Sequence, residues 1–198
     1  MVRELPDTLG PGPPRPLISS RFYGDLDCHA SFPHLVVMIG ETFMIPETCE
    51  RKSVDLYVCE QWPDRWRLER RLLFDVDAAD TMVLRANGLW WLFTSVKTGP
   101  QNRHLEIFFT DDLITGTIQP HPINNSSLYK DLQHGTGRNA GYLTQSPDGG
   151  IKRLMQNSSQ HYGEGVAAMD VVALDVGHFE ERLIDGIEEL PMVNKAFS

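Results

Sequence analysis

The ten residues Arg85–Thr94, RANGLWWLFT, constrain the fold of this chain more than any others. An Asn-Gly pair suits both central positions of a type I′ turn, where φ must be positive, and bulky apolar side chains suit the pleated surface of a strand. Asn87-Gly88 therefore predicts a β-hairpin, with Trp90 and Trp91 on opposite faces of its second strand. One of the two belongs to a core. The other either packs on a neighbouring sheet or is available to a ligand.

The layout of apolar strand, glycine turn and aromatic-rich strand recurs in FPHLVVMIGETFMIPE, Phe32–Glu47. A third copy is read in NAGYLTQSPDGGIKRLMQN, Asn139–Asn157, with Asp148-Gly149 at its turn. The turn glycines Gly40, Gly88 and Gly150 are spaced by roughly 50 to 60 residues, close to the period of propeller blades. Between the hairpins, Val54–Leu73 and Arg103–Ile123 each read as strand, turn and second short strand. Met169–Ile184 begins as an outer strand and ends in either a strand or one helical turn. Long amphipathic helices are nearly absent. The expected class is all-β, a β-propeller-like repeat of four-stranded antiparallel blades of which about three are visible; a β-sandwich is the rival drawn from the same short strands.

With 198 residues the chain is long enough for one domain with a sizeable core. A formal net charge of -9 without any Lys/Arg-rich run argues against a nucleic-acid role, which needs a basic face for counterion release. Cys28, Cys49 and Cys59 are odd in number and lack CxxC spacing, so reduced thiols are expected rather than a disulfide framework or a zinc site. The opening MVRELPDTLGPGPPRPLISS has no apolar signal-like region, and no segment approaches the roughly 20 apolar residues of a membrane span. A cytoplasmic location is the corresponding expectation. Prolines at 6, 11, 13, 14 and 16 predict a disordered arm over residues 1–24, ahead of a propeller-like domain over 25–190 and a tail over 191–198.

Five stretches, SFPHLVVMIGETFMIPET, LYVCEQWPDRWRLERRLL, AADTMVLRANGLWWLFTS, GRNAGYL and RLMQNSSQHYGEGVAAMDVVAL, follow one another in the order seen in a five-bladed propeller family. The chain resembles the N-terminal domain of plant glucosamine inositolphosphorylceramide transferase and its bacterial relatives. The resemblance covers Asp25–Glu181 and rests on MIPE, W-P-x-x-W and YG elements in register. It implies a fold like that of arabinanase- and xylosidase-type propeller glycosidases, in which carboxylates at the inner blade ends meet over the axis, and hence a carbohydrate pocket. The segment before His29 has no counterpart of the opening blade with its Ala-Asp-Pro-type motif, which carries the catalytic base in those glycosidases. A piece of a longer propeller, and a chain that keeps binding without the chemistry, are both consistent with that.

Glycoside cleavage needs an acid and a base carboxyl on either side of the bond. Asp80 opens the apolar strand DTMVL, where an innermost strand would set it at the channel mouth; the resemblance places it where glycosidases keep a carboxylate that tunes the acid. Its alternative role is to cap a turn through its own backbone. Glu47, after Pro46 at the end of TFMIPE, either faces the axial cleft as acid or sugar acceptor, or ends its strand in solvent. His34 and Arg138 begin the other two inner strands and suit sugar hydroxyls or a phosphate, with the glycines of GRNAG allowing close backbone approach to a ligand. Gln156 and Tyr162, in MQNSSQHYGEG, would complete the pocket or simply join two strands. Trp62 and Trp66 are expected between blades. The histidines show no ligand spacing, so neither a metal nor another cofactor is expected.

The residues thus point to a carbohydrate-handling propeller module associated with glycosyl transfer, binding a carbohydrate or a nucleotide sugar. A glycoside hydrolase-like enzyme using Asp80 and Glu47, and a non-catalytic interaction scaffold, are the alternatives, because fold does not settle chemistry. Open blade edges imply self-association.

Overall fold

The computed structural model describes residue 28 and residues 30–99, 103–125, 137–157 and 165–184. Residues 1–24, the tail 191–198 and Tyr162 lie outside the described residues. Three four-stranded antiparallel sheets follow one another along the chain. The first is β1 (Ser31–Met38), β2 (Glu41–Glu47), β3 (Ser53–Gln61) and β4 (Arg65–Phe74), in that spatial order. The second is β5 (Ala78–Ala86), β6 (Leu89–Lys97), β7 (Arg103–Thr110) and β8 (Gln119–Pro120). The third is β9 (Thr144–Gln145), β10 (Ile151–Asn157), β11 (Gly165–Leu174) and β12 (Phe179–Leu183). The segment leading into β9 already pairs with β10, because Gln156 N donates to Arg138 O at 2.9 Å and Ala140 N to Leu154 O at 3.0 Å. Two 3-10 turns complete the order, and there is no α-helix among the described residues.

The hairpins form where the turn residues place them. Asn87 and Gly88 have φ of 52° and 79°, and Ile39 and Gly40 have 47° and 81°. Both pairs show the double positive φ of a type I′ turn. In the third hairpin the residue with positive φ is Gly149, at 91°, rather than Gly150. Met169–Ile184 resolves as two strands, β11 and β12, with no helical turn.

The middle sheet is buried on both faces, which separates this architecture from a two-sheet sandwich. Phe43, Ile45, Leu56 and Leu72 of the first sheet share a core with Val83 and Leu92 of the second. Met82, Trp91, Phe93 and Ile107 of the second share another with Ile151, Leu174 and Phe179 of the third. Trp91 is fully buried in the second core and donates from Nε1 to Ala86 O at 3.0 Å; Trp90 packs half-buried on the first core beneath the Arg85 guanidinium. Neighbouring strands alternate their side chains, so each Trp fills one side of the same blade. Fully burying a large apolar side chain contributes about 1.5 to 3 kcal/mol, and these two interfaces hold most of them.

Polar side chains lace the sheets together. Arg70 of β4 donates to Leu113 O and Gly116 O of the second sheet at 3.2 and 2.7 Å. Asn87 Nδ2, at the tip of the second sheet's hairpin, donates to Leu174 O of the third at 3.0 Å. The expected inter-blade packing of Trp62 and Trp66 is not what forms. Trp66 is buried with Met44 and Tyr57 on one face of its own sheet, while Trp62 is 64% exposed and meets Trp66 edge-on.

Candidate functional site

Asp80 lies near the start of β5, at a register irregularity between Ala79 and Met82. Its φ of 50° lies in the left-handed region, which costs most residues with a Cβ about 1 to 2 kcal/mol and an aspartate less. Three groups enforce it here. Asp80 N donates to Glu47 Oε2 at 3.3 Å, Asp80 O accepts from Asn139 Nδ2 at 2.9 Å, and Asp80 Oδ2 accepts from Arg138 Nε at 2.7 Å. Main-chain and side-chain atoms of one residue are thereby tied to all three sheets.

Glu47 reaches this point from the end of β2, and its Oε2 lies 3.8 Å from Arg138 Nη2. The strand-end glutamate is largely buried, with a side chain 13% exposed, and does not simply end its strand in solvent. Burial pushes the Glu47 carboxyl above the usual carboxylate range and the Asp80 charge pushes it further, against the opposing pull of Arg138 and of Asp80 N. Asp80 and Arg138 form a charged pair with side chains 4% and 24% exposed, so Arg138 and Glu47 face outward while Asp80 holds Arg138 from behind.

The glycine ahead of Arg138 has a different use from the one expected. A Cβ on Gly137 would collide with the Arg103 backbone carbonyl, so this glycine docks the chain tightly on β7 and sets where Arg138 emerges.

His34 and Gln156 stand next to this trio without joining it. His34 Nε2 lies 3.2 Å from both the N and the O of Val83, three residues along β5 from Asp80, and its ring packs on Tyr142 at 5.0 Å. Burial depresses its pKa to about 4, with the Val83 backbone bond opposing weakly, so the ring is neutral near neutral pH. Gln156 Nε2 donates to Asn139 O at 3.1 Å.

Asn139 was not singled out by the sequence, yet it is the most connected side chain of the site. It is fully buried; Nδ2 donates to Phe93 O as well as Asp80 O, and Oδ1 accepts from Arg153 Nη1 at 3.1 Å. Arg153 in turn forks onto Glu181, with Nε–Oε2 at 2.8 Å and Nη2–Oε1 at 2.6 Å. A signal for this pair does exist in the sequence. Arg153 falls in phase with Ile151 and Met155, and Glu181 in phase with Phe179, so both charges occupy the inward positions of their strands.

Three four-stranded antiparallel sheets in succession define a β-propeller, and Glu47, Asp80 and Arg138 meet where the three come together. The chain belongs to the family described as glucosamine inositolphosphorylceramide transferase 1, N-terminal, whose model matches residues 23–194. Similar proteins include glucosamine inositolphosphorylceramide transferase 1 of Arabidopsis thaliana, 29% identical over 156 residues that make up 77% of this chain and 20% of the relative. Its namesake in Oryza sativa subsp. japonica is 30% identical over 165 residues, 81% of this chain and 22% of the relative. The chain thus spans about a fifth of the length of the curated relatives it matches. Among solved structures, an endo-arabinase from Bacteroides thetaiotaomicron superposes with a TM-score of 0.60 at 15% identity, over 79% of this chain and 56% of that one. A family-43 enzyme from Xanthomonas citri complexed with xylotriose gives 0.57 at 12% identity, over 80% and 56%. These five-bladed neighbours establish the propeller fold.

Proposed function

We propose that this chain is a carbohydrate-binding propeller module of a glycosyl-transferring protein, with its ligand held at the inner-strand ends by Arg138 and Glu47. The observation that carries this reading is the left-handed Asp80, tied through backbone and carboxylate to Glu47, Asn139 and Arg138. Left-handed non-glycine residues held this firmly concentrate at functional sites. The relatives' name, a transferase of glucosamine and inositolphosphorylceramide, supports a carbohydrate or nucleotide-sugar ligand.

Binding fits the geometry better than hydrolysis by this acid pair. Glu47 and Asp80 both sit on the Arg138 guanidinium, at 3.8 and 2.7 Å, and Glu47 also accepts from Asp80 N, so the two acids are tied to protein groups rather than set on either side of a substrate bond. Glu47 instead offers carboxyl oxygens and Arg138 a fork of N–H donors, a set suited to sugar hydroxyls. His34 and Gln156 shape the wall behind them.

A glycan-array screen, including nucleotide sugars, followed by titration calorimetry tests this. Arg138→Ala is expected to weaken binding of any hit by more than about 1 kcal/mol, the scale of a hydrogen bond to a charged group, and to lower the melting temperature as well, because the buried Asp80 carboxylate loses its counter-charge. Asp80→Asn is expected to lower affinity by loosening Arg138. Product formation on any hit that disappears in Asp80→Asn at unchanged affinity would favour an enzyme, and absence of any ligand would leave the interaction scaffold.

A further inference from the structure

The Arg153–Glu181 pair lies between the second and third sheets with side chains 1% and 7% exposed. Stability does not explain such a pair, because replacing a buried ion pair with well-packed apolar residues is commonly neutral or stabilising. Its geometry suggests another use. With Nε and Nη2 engaged by the Glu181 carboxylate, the guanidinium directs Nη1 at Asn139 Oδ1. That bond occupies the acceptor end of the Asn139 amide and leaves both Nδ2 hydrogens for Asp80 O and Phe93 O. The main-chain N of Asn139 is fixed by Ser95 Oγ at 3.1 Å and its O by Gln156 Nε2 at 3.1 Å, so the whole residue is immobilised.

We propose that Asn139, anchored by the buried Arg153–Glu181 pair, is the positioning residue that holds the Asp80 backbone in its left-handed conformation and so aims the Asp80 carboxylate at Arg138. The chain of contacts runs from the outer strand β12 through β10 to the inner strand β5, and it reaches the candidate site without touching any ligand position. Asn139 holds the Asp80 carbonyl and with it ψ, while Glu47 accepts from Asp80 N on the φ side; Arg138 acts on the carboxylate, which follows. Release of the carbonyl lets Asp80 relax to an ordinary extended conformation and swings its side chain away from Arg138. The freed guanidinium then turns to its other neighbour, Glu47. His34, the remaining titratable group nearby, bonds to Val83 and stays outside this exchange.

The inference rests on reading Glu47, Asp80 and Arg138 as the site, but its test needs no ligand, so a chain that binds no glycan leaves it standing. Carboxyl titrations of Glu47 and Asp80 are followed by NMR on the isotope-labelled intact chain, together with the melting temperature. The variants are Asn139→Ala, Arg153→Lys and the double variant Arg153→Met/Glu181→Leu. The Glu47 midpoint is expected to fall by about half a pH unit or more in Asn139→Ala and in the double variant, as Arg138 transfers to it. The double variant is expected to melt no lower than the wild type. A Glu47 titration in Asn139→Ala that superimposes on the wild type overturns the proposal. So does a double variant that melts lower with its titration unmoved. Loss of folding in both Asn139→Ala and Arg153→Lys also overturns it, because the network would then hold the fold rather than the site.

Discussion

At the scale of single residues, the groups of this site act through proton affinities set by burial. His34 is 5% exposed and its pKa falls from 6.5 to about 4 on folding. Between those values the unfolded chain binds a proton that the folded chain refuses, so folding stability falls as the solution is acidified. The contribution of His34 is complete above pH 6.5 and is lost as pH drops toward about 4, a total of about 3 kcal/mol at 1.36 kcal/mol per unit. Glu47 has the opposite sign. Its folded pKa is raised, so its contribution is present below the unfolded value and disappears as pH rises through the folded one. Urea unfolding at a series of pH values is expected to show a slope between pH 6.5 and 4 that flattens in His34→Gln, whose amide can still meet Val83. An unchanged slope would show that His34 is not the source.

At the scale of elements, the turns set the hairpins and one of them is poorly filled. Ile39 holds a φ of 47° with a β-branched side chain 79% exposed, where the equivalent turn of the second sheet has Asn87. Asn tolerates the left-handed region and Ile does not, and exposed Ile39 has little packing to lose. Ile39→Asn is therefore expected to stabilise the chain by about 1 kcal/mol, read as a higher urea midpoint at constant slope. Gly137→Ala is expected to do the reverse, because the added Cβ would press on the Arg103 backbone and displace Arg138 with it.

The same turns explain what the sequence disclosed. Asn87-Gly88 and Gly40 carry their conformation in their own chemistry, and the four-stranded units follow from them. Glu47, Asp80 and Arg138 could be found because each stands at the end of an inner strand once those units are laid side by side. Asn139 could not, since nothing local marks an asparagine whose five hydrogen bonds all go to residues distant in sequence. Trp62 misled for a related reason. A tryptophan beside a turn reads as core, but its burial is decided by what packs against the turn in three dimensions.

At the scale of the whole molecule, the two outer sheets have one face each that no described sheet covers. Val36 and Met38 turn toward the first core, so Leu35 and Val37, 38% and 71% exposed, face away from it. On the third sheet Leu154 and Val172 are 37% and 50% exposed. Apolar flanks of this kind favour association, and the chain is expected to show concentration-dependent mass by light scattering, reduced by Val37→Lys and by Val172→Lys. A monodisperse monomer with a concentration-independent thermal transition would rule that out.

The division of the site among three sheets also gives it a history. Glu47 and Asp80 belong to the first two sheets, and the cation that pairs with Asp80 comes 58 residues after it. On the ribosome, both acids are therefore delivered before their base. A nascent chain with two sheets formed holds an acid pair without a counter-charge and an aspartate with no partner for its carbonyl. Emergence of Arg138 and Asn139 supplies both in adjacent residues, so the segment leading into the third sheet is the one that completes this group.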